Sequence, residues 1–219
     1  MNSPIRPRDR DALIQSLRAG VVPRTGQHLI QVGRTREIES LVGDIERLAD
    51  GGSAFRLVTG EYGAGKTFFL NLVRAIALTK NLVVTSADLN PDRRLHATGG
   101  QARSLYAELM RNLSTRMRPD GNALAAVVEK FISTAREEAK ATGQTAEAVI
   151  WAKLGNLKEL VNGFDFAEVI AAYCRGYESS NEQLKGDAIR WLRAEFSTKT
   201  EARQALGVRT IIDDDTFYD

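Results

Sequence analysis

The sequence predicts an α/β fold joined to a mainly α-helical insertion or subdomain. Two observations support this prediction. Between residues 54 and 80 a short apolar segment, a glycine-rich loop and an amphipathic helix follow one another, an order typical of α/β folds. From residue 100 to residue 206 the sequence instead shows one amphipathic helical pattern after another and almost no strand. The predicted divisions are an α/β portion at 1–99, the helical subdomain at 100–206 and a C-terminal segment at 207–219.

Turn residues and apolar spacing locate the elements of the first hundred residues. The clearest helix runs from about Thr35 to Ala49, because its apolar residues recur at helical spacing along one face. Two glycines at 51–52 then mark a turn before the first strand. Helices are expected at 9–19, 35–49 and 66–80, an extended segment that contains Pro23 and leads to residues 28–32, and buried strands at 54–59 and 82–89.

The helical region carries five apolar patterns at helical spacing. Pro119 and Asp120 introduce the second pattern, and Asn181 is the expected N-cap of the last. No fixed repeat period is visible, so the sequence does not indicate an array of helical repeats. The five patterns lie at about 105–113, 124–132, 148–161, 164–177 and 184–196.

The glycine-rich loop matches a phosphate-binding motif at every fixed position. Residues 60–67 read Gly-Glu-Tyr-Gly-Ala-Gly-Lys-Thr and fit the pattern G-x-x-x-x-G-K-[ST]. In this motif backbone N–H groups point at phosphate oxygens, the lysine reaches the β- and γ-phosphates, and the hydroxyl binds Mg²⁺. The alternative is a glycine-rich turn without a ligand. We expect a nucleoside triphosphate with Mg²⁺ held by Thr67, and a phosphate cradle formed by Gly60, Glu61, Tyr62, Gly63, Ala64, Gly65, Lys66, Thr67 and Phe68.

The acid that hydrolysis would require is not evident. An ATPase built on this loop needs a carboxylate after an apolar strand to hold Mg²⁺, and a residue that orients water. No run of four apolar residues followed by Asp-Glu occurs. The nearest candidate is Val208–Asp215, but Arg209 and Thr210 interrupt its apolar run, and its three aspartates would equally start a helix. Asp88 is a second candidate acid or a strand-end turn residue, so the catalytic residue stays open.

A second motif precedes the loop. The segment Val32-Gly33-Arg34-Thr35-Arg36-Glu37 resembles the GR-x-x-E box that stands before the P-loop strand in many AAA+ and STAND-type ATPases. The resemblance implies that Val32, Gly33 and Arg34 line the base side of the nucleotide pocket. It also implies that Glu37 is structural or caps the helix. In the alternative interpretation, Gly33 simply breaks the chain before a surface helix.

Three segments together resemble one bacterial family. Residues 17–24, the phosphate loop and the stretch 87–103 are similar to the P-loop ATP-binding proteins of BREX phage-exclusion systems and of tellurite-resistance-linked clusters. The resemblance covers essentially the whole chain. It implies a P-loop NTPase fold of the AAA+-like type, ATP as the nucleotide and a role in phage defence. Members of that family are considerably longer and carry their Walker-B strand further on. We therefore expect this sequence to be an incomplete, N-terminal part of such an ATPase.

Two other functions compete with an ATPase. One is a non-catalytic module in which ATP orders the helical subdomain for a partner. The other is a small-molecule kinase, which would use the same loop but is disfavoured by the GR-x-x-E-like box. Protein partners or self-association are expected for the ATPase and for the non-catalytic module.

Charge and composition restrict the remaining partners. The 30 basic and 28 acidic side chains give a net charge of +2, so no global field marks a nucleic-acid or membrane binder. DNA contact is possible only locally, and a solvated surface is the simpler interpretation of the basic residues. The local candidates are Arg93, Arg94, Arg103, Arg111, Arg116 and Arg118.

Cysteine, histidine and apolar runs point to the cytoplasm. The single cysteine, Cys174, excludes an intrachain disulfide and is expected to be an inert core thiol. His28 and His96 lack a neighbouring set of metal ligands. No apolar run reaches the length of about 18 residues that a membrane span needs, so we predict a cytoplasmic protein without membrane contact.

Overall fold

A computed structural model describes residues 5–23, 26–95, 99, 101–155 and 163–213 of the chain. Over these residues the fold is α-helical, and the chain divides into two compact units, Met1–Val84 and Thr85–Asp219. None of the described helices combines the length and the apolar content that a bilayer crossing requires.

The bounds of the helices follow the sequence patterns closely in most places. The first unit contains α1 (Pro7–Arg18), α2 (Gln27–Ile30), α3 (Thr35–Ala49) and α4 (Lys66–Thr79). The second unit contains α5 (Gln101–Arg111), α6 (Leu124–Thr142), α7 (Ala146–Lys153), α8 (Gly163–Glu178), α9 (Glu182–Leu192) and α10 (Lys199–Leu206). Helix α3 has the predicted bounds, and Asn181 caps α9 as expected, since its Oδ1 accepts a hydrogen bond from the Leu184 N–H at 3.0 Å.

The predicted α/β class is wrong, because the described residues form no sheet and therefore no α/β core of the P-loop NTPase, AAA+-like type. Segments 54–59 and 82–89, predicted as buried strands, belong neither to a sheet nor to any of the helices. Phe55 and Leu57 leave 83% and 80% of their surface exposed. A strand is stable only when neighbouring strands complete its hydrogen-bond ladder, and apolar residues alone do not supply those neighbours.

Three smaller differences concern individual helices. Residues 27–30, within a stretch predicted to be extended, form the short helix α2. Helix α10 was not predicted, although Thr198 caps it by accepting a hydrogen bond from the Glu201 N–H at 3.2 Å. The pattern predicted at 148–161 gives a helix that ends at Lys153, and the part of that prediction at 156–161 lies outside the described residues.

Helices α3 and α4 lie against each other in the first unit. Helix α4 buries Phe69 and Leu72, and α3 buries Ile45. Near their C-terminal ends, Lys80 Nζ lies 3.1 Å from Glu46 Oε1. Both partners of this ion pair are exposed, so apolar burial holds the two helices together more than this charge pair does.

Helix α8 is the centre of the second unit. Its residues Ala167, Val169, Ala171 and Ala172 are completely buried, so apolar residues face neighbours on several sides of the helix. Alanine side chains let adjacent helices approach closely, and α8 packs against both α7 and α9. The core also includes Val128, Ile132, Trp191, Leu192, Phe196 and Leu206.

Side chains, rather than a sheet, anchor the extended chain after α10. Asp165 Oδ2 accepts hydrogen bonds from the backbone N–H groups of Arg209 at 3.0 Å and Thr210 at 2.8 Å, and from the Thr210 hydroxyl. The Trp191 indole N–H donates to the Thr210 carbonyl at 2.8 Å. The apolar side chains of this segment, Val208, Ile211 and Ile212, are buried. Residues 208–212 therefore form part of the core of the second unit.

We expect Asp165→Ala to lower the free energy of unfolding by about 2–4 kcal/mol, because it removes the buried carboxylate that accepts hydrogen bonds from the Arg209 and Thr210 backbone N–H groups. Chemical denaturation followed by circular dichroism measures this change. Glu137→Gln, an exposed change of charge on α6, is the control and should leave the free energy within about 0.5 kcal/mol. Equal stability of the two variants would show that Asp165 does not anchor the C-terminal segment.

Cys174 lies in this core, and burial raises the pKa of its thiol from 9.0 to about 11. Because the native pKa lies above the unfolded one, the thiol's contribution to stability is complete below pH 9 and is lost as the pH rises towards 11. We expect a disulfide-exchange reagent to modify Cys174 at neutral pH only after denaturant is added. Rapid modification of the native chain would show that the α8 core opens.

Candidate nucleotide-binding site

The phosphate-loop backbone has the conformation that its glycines permit. Gly63 and Gly65 both have φ of 81°, in the left-handed region that side chains disfavour. A Cβ atom on Gly60 would lie 3.3 Å from the Ala64 Cβ. Helix α4 begins directly after Gly65. Because glycine has no side chain, it cannot accept a hydrogen bond from the first N–H groups of the helix. Helix starts of this kind bind anions.

Lys66 is held over its own loop. Its Nζ donates to the carbonyl oxygens of Gly60 and Glu61, at 2.8 Å in each case. Among the described residues it forms no ion pair with a carboxylate. The ammonium group therefore lies inside the curve of the loop with its positive charge uncompensated by an acid.

The other loop residues present their side chains outward. Glu61, Tyr62 and Thr67 are exposed, and Tyr62 projects fully into solvent. The Thr67 hydroxyl lies in the first turn of α4, next to Lys66. Such a hydroxyl is available to a Mg²⁺ ion that bridges phosphate oxygens.

Arg34 connects the GR-x-x-E-like segment to the phosphate loop. It occupies the N-cap position of α3 with φ of 56°, a left-handed conformation. Its Nη2 donates to the Ala64 carbonyl, and its guanidinium lies 5.7 Å from the centroid of the Phe69 ring. The structure thus brings together two segments separated by about thirty residues that the sequence assigned to one pocket.

A cavity of about 320 Å³ adjoins this contact. It is mostly apolar, with Gln31 and Arg34 as its polar residues, and Gly65 connects it to the phosphate loop. Val32 lies at the rim, because 92% of its surface is exposed. Gly33, predicted to line the pocket, is not a wall residue but accepts a hydrogen bond from Gln31 Nε2 through its carbonyl. The walls are formed by Ile30, Gln31, Val32, Arg34, Ile38, Gly65, Phe68, Phe69 and Leu72.

Five of the nine wall residues were not predicted as part of the site: Ile30, Gln31, Ile38, Phe69 and Leu72. Phe68 was predicted as part of the phosphate cradle, whereas Phe69 and Leu72 were not predicted. Both share the face of α4 that carries Phe68, and this helical spacing could have indicated a common environment. No pattern in the sequence indicated Ile30 and Gln31 as pocket residues. They lie at the end of the short helix α2, which was not predicted. Glu37 lies in the first turn of α3, where a negative charge favours the helix.

An ion pair between Arg56 and Asp44, which was not predicted, attaches the segment before the loop to helix α3. Arg56 donates from Nε to Asp44 Oδ2 at 2.5 Å and from Nη2 to the Ser40 hydroxyl at 2.7 Å. The Arg56 hydrogen bond holds the pKa of the buried Asp44 carboxyl below its usual 3.8. The stability from this pair is therefore present above pH 3.8 and is lost as acid protonates Asp44.

The remaining candidates occupy the second unit or the surface. Asp88 is exposed on extended chain, and Asp213 follows the anchored segment 208–212. The other two acids of that candidate run, at 214 and 215, and His96 lie outside the described residues. Arg93 pairs with Glu108 at 3.4 Å, which favours a structural role for it.

Comparison with known proteins identifies one family. The family model described as BREX system ATP-binding protein BrxC/D matches residues 5–219. No curated protein and no solved structure matches the chain.

Proposed function

Because this chain belongs to the family of BREX system ATP-binding proteins BrxC/D, we propose that it binds MgATP through residues 60–68 as an ATP-binding component of BREX phage defence. The observation that carries this proposal is the convergence of Lys66 and Arg34 on the carbonyls of one glycine-rich loop. The loop conformation and the donor set fit a triphosphate. Within the part of the chain that the structure describes, Lys66 forms no ion pair with a carboxylate that would compete with phosphate.

Each residue of the loop has a defined role in this proposal. Backbone N–H groups from Glu61 to Phe68 donate to phosphate oxygens, and the start of α4 adds its positive end. The ammonium of Lys66 exchanges its two carbonyl acceptors for β- and γ-phosphate oxygens. The hydroxyl of Thr67 binds Mg²⁺, the ion that neutralises part of the triphosphate charge.

The cavity beside the loop receives the base end of the nucleotide. Its volume of about 320 Å³ and its apolar walls suit a planar aromatic ring. Arg34 stands between the base and phosphate ends, since it lines the cavity and binds the Ala64 carbonyl. Val32 lies at the rim of this base side, and Gly33 contributes indirectly, because its carbonyl accepts a hydrogen bond from Gln31, which lines the cavity.

We infer that ATP binding, rather than hydrolysis, is the activity of this chain on its own. In the first unit, the carboxylates of Asp44 and Glu46 are already bound to Arg56 and Lys80. Neither is free to hold a metal ion or orient water. This observation favours the second candidate function, a nucleotide-gated module that presents a changed surface to a protein partner.

We expect Lys66→Ala to weaken ATP binding at least tenfold, which corresponds to about 1.4 kcal/mol, because it removes a charged contact to phosphate. Titration with a fluorescent ATP analogue in the presence of Mg²⁺ measures the affinity. Lys80→Ala is a matched control, since it removes the same charge from the other end of α4 and should change the affinity less than about twofold. If both variants bind as tightly as wild type, the loop is not the phosphate site.

Thr67→Ala should weaken binding in Mg²⁺ but not in excess chelator, because only the metal-dependent part of the affinity passes through the hydroxyl.

Steady-state ATP hydrolysis by this chain should be far slower than about 1 per second, the lower end of typical enzyme turnover. Release of inorganic phosphate measures the rate. A Mg²⁺-dependent rate at or above that value, abolished by Lys66→Ala, would contradict the binding-only interpretation. Selective loss of such a rate in Asp213→Asn would identify the missing acid.

A further inference from the structure

The loop between α5 and α6 presents arginines on a well-defined turn. Thr115 and Arg118 exchange backbone hydrogen bonds, at 3.1 Å in both directions, and the Arg118 N–H also lies 3.2 Å from the Thr115 hydroxyl. The side chains of Arg116, Met117 and Arg118 project from this turn and are exposed. We call residues 115–118 the basic turn.

Backbone hydrogen bonds also close the base of the loop, where the chain leaves α5 and enters α6. The Asn122 N–H donates to the Arg111 carbonyl at 2.7 Å, and the Ala123 N–H donates to the Leu113 carbonyl at 2.9 Å. A Cβ atom on Gly121, whose φ is 102°, would lie 3.0 Å from the Arg111 carbonyl oxygen, so the close return of the chain requires glycine there. These hydrogen bonds define the backbone of the basic turn, so the entropy cost of binding falls mainly on its exposed side chains.

The arginines of this loop lack the acidic partners that other arginines of the second unit have. Arg175 and Arg190 each contact two carboxylates. In the part of the chain that the structure describes, Arg111, Arg116 and Arg118 form no ion pair. Asp120 is the acidic residue of the same loop, so the four side chains sum to a charge of +2, from three positive and one negative.

An exposed methionine stands between the two arginines of the turn. Met117 leaves 89% of its surface in water, although a neutral apolar side chain gains nothing from that position in the isolated chain. An apolar side chain flanked by arginines is the pattern with which several proteins enter a DNA groove, where the charges meet phosphates and the apolar group meets base edges.

We propose that the basic turn binds double-stranded DNA, with Arg116 and Arg118 on backbone phosphates, Met117 in the groove and Arg111 adding charge at the base of the loop. Duplex DNA carries a negative charge for about every 1.7 Å of its axis, so two guanidiniums on one turn find phosphates in any sequence. An acidic protein would instead need carboxylates placed to match this turn. The site is independent of the phosphate loop and of its proposed nucleotide.

The test is the affinity of the full chain for a labelled DNA duplex, measured by fluorescence anisotropy over a series of salt concentrations. We expect Arg116→Ala/Arg118→Ala to weaken binding at least tenfold at low salt. Its log–log salt dependence should be shallower by nearly 2, because each lost phosphate contact contributes about 0.9. Met117→Ala should weaken binding without changing that slope, since it removes no charge.

The control is Lys130→Ala/Lys140→Ala, which removes two exposed positive charges from α6 of the same unit. It should change the affinity less than about threefold, and thermal unfolding confirms that all variants are folded. Equal losses in the two double variants would show diffuse attraction and overturn the proposal. So would an absence of DNA binding by wild type, or tighter binding to an RNA duplex of the same sequence.

Discussion

A helix satisfies its own backbone hydrogen bonds, whereas extended chain needs partners, and this constraint governs the whole structure. Two segments outside the helices are held by single buried carboxylates rather than by a sheet, but only one of these carboxylates accepts hydrogen bonds from the backbone. Asp44 holds the segment before the phosphate loop through the side chain of Arg56. Asp165 holds the segment after α10 through the backbone of Arg209 and Thr210. Hydrogen bonds to the backbone hold the path of segment 208–212. A hydrogen bond to the Arg56 side chain alone does not pair the backbone N–H and C=O groups of segment 54–59.

The contrast between the two anchors explains how apolar side chains are distributed. Residues 208–212 are fixed through their backbone, and their apolar side chains reach the core of the second unit. Segment 54–59 is fixed at Arg56 alone, and Phe55 and Leu57 remain in water on either side of it. Helix α8 differs from both segments, because its backbone N–H and C=O groups are hydrogen-bonded within the helix. Its alanines can therefore be buried on several sides without burying an unpaired polar group.

Local patterns predicted most of the helices, but not the relations between distant residues. The apolar stripe of α3 and the capping residue Asn181 are local signals, and both were read correctly. The strand at 54–59 was predicted from local apolar content, yet a strand depends on neighbours that no local pattern reveals. For the same reason no local pattern indicates that Asp44 pairs with Arg56, or that Asp165 binds residues more than forty positions away.

The glycine-rich loop is a local motif, and one long-range contact, from Arg34 to the Ala64 carbonyl, joins it to the neighbouring cavity. The conformation of the glycine-rich loop follows from its own sequence, and Lys66 satisfies its charge on the carbonyls of that loop. Arg34 adds the contact that the motif cannot supply, because it binds the Ala64 carbonyl while it lines the neighbouring cavity. Any shift of the Ala64 carbonyl changes the acceptor of Arg34 and hence one wall of the cavity. Arg34 therefore contacts both the glycine-rich loop and the neighbouring cavity through one guanidinium, and its cation–π contact with Phe69 limits the positions it can take.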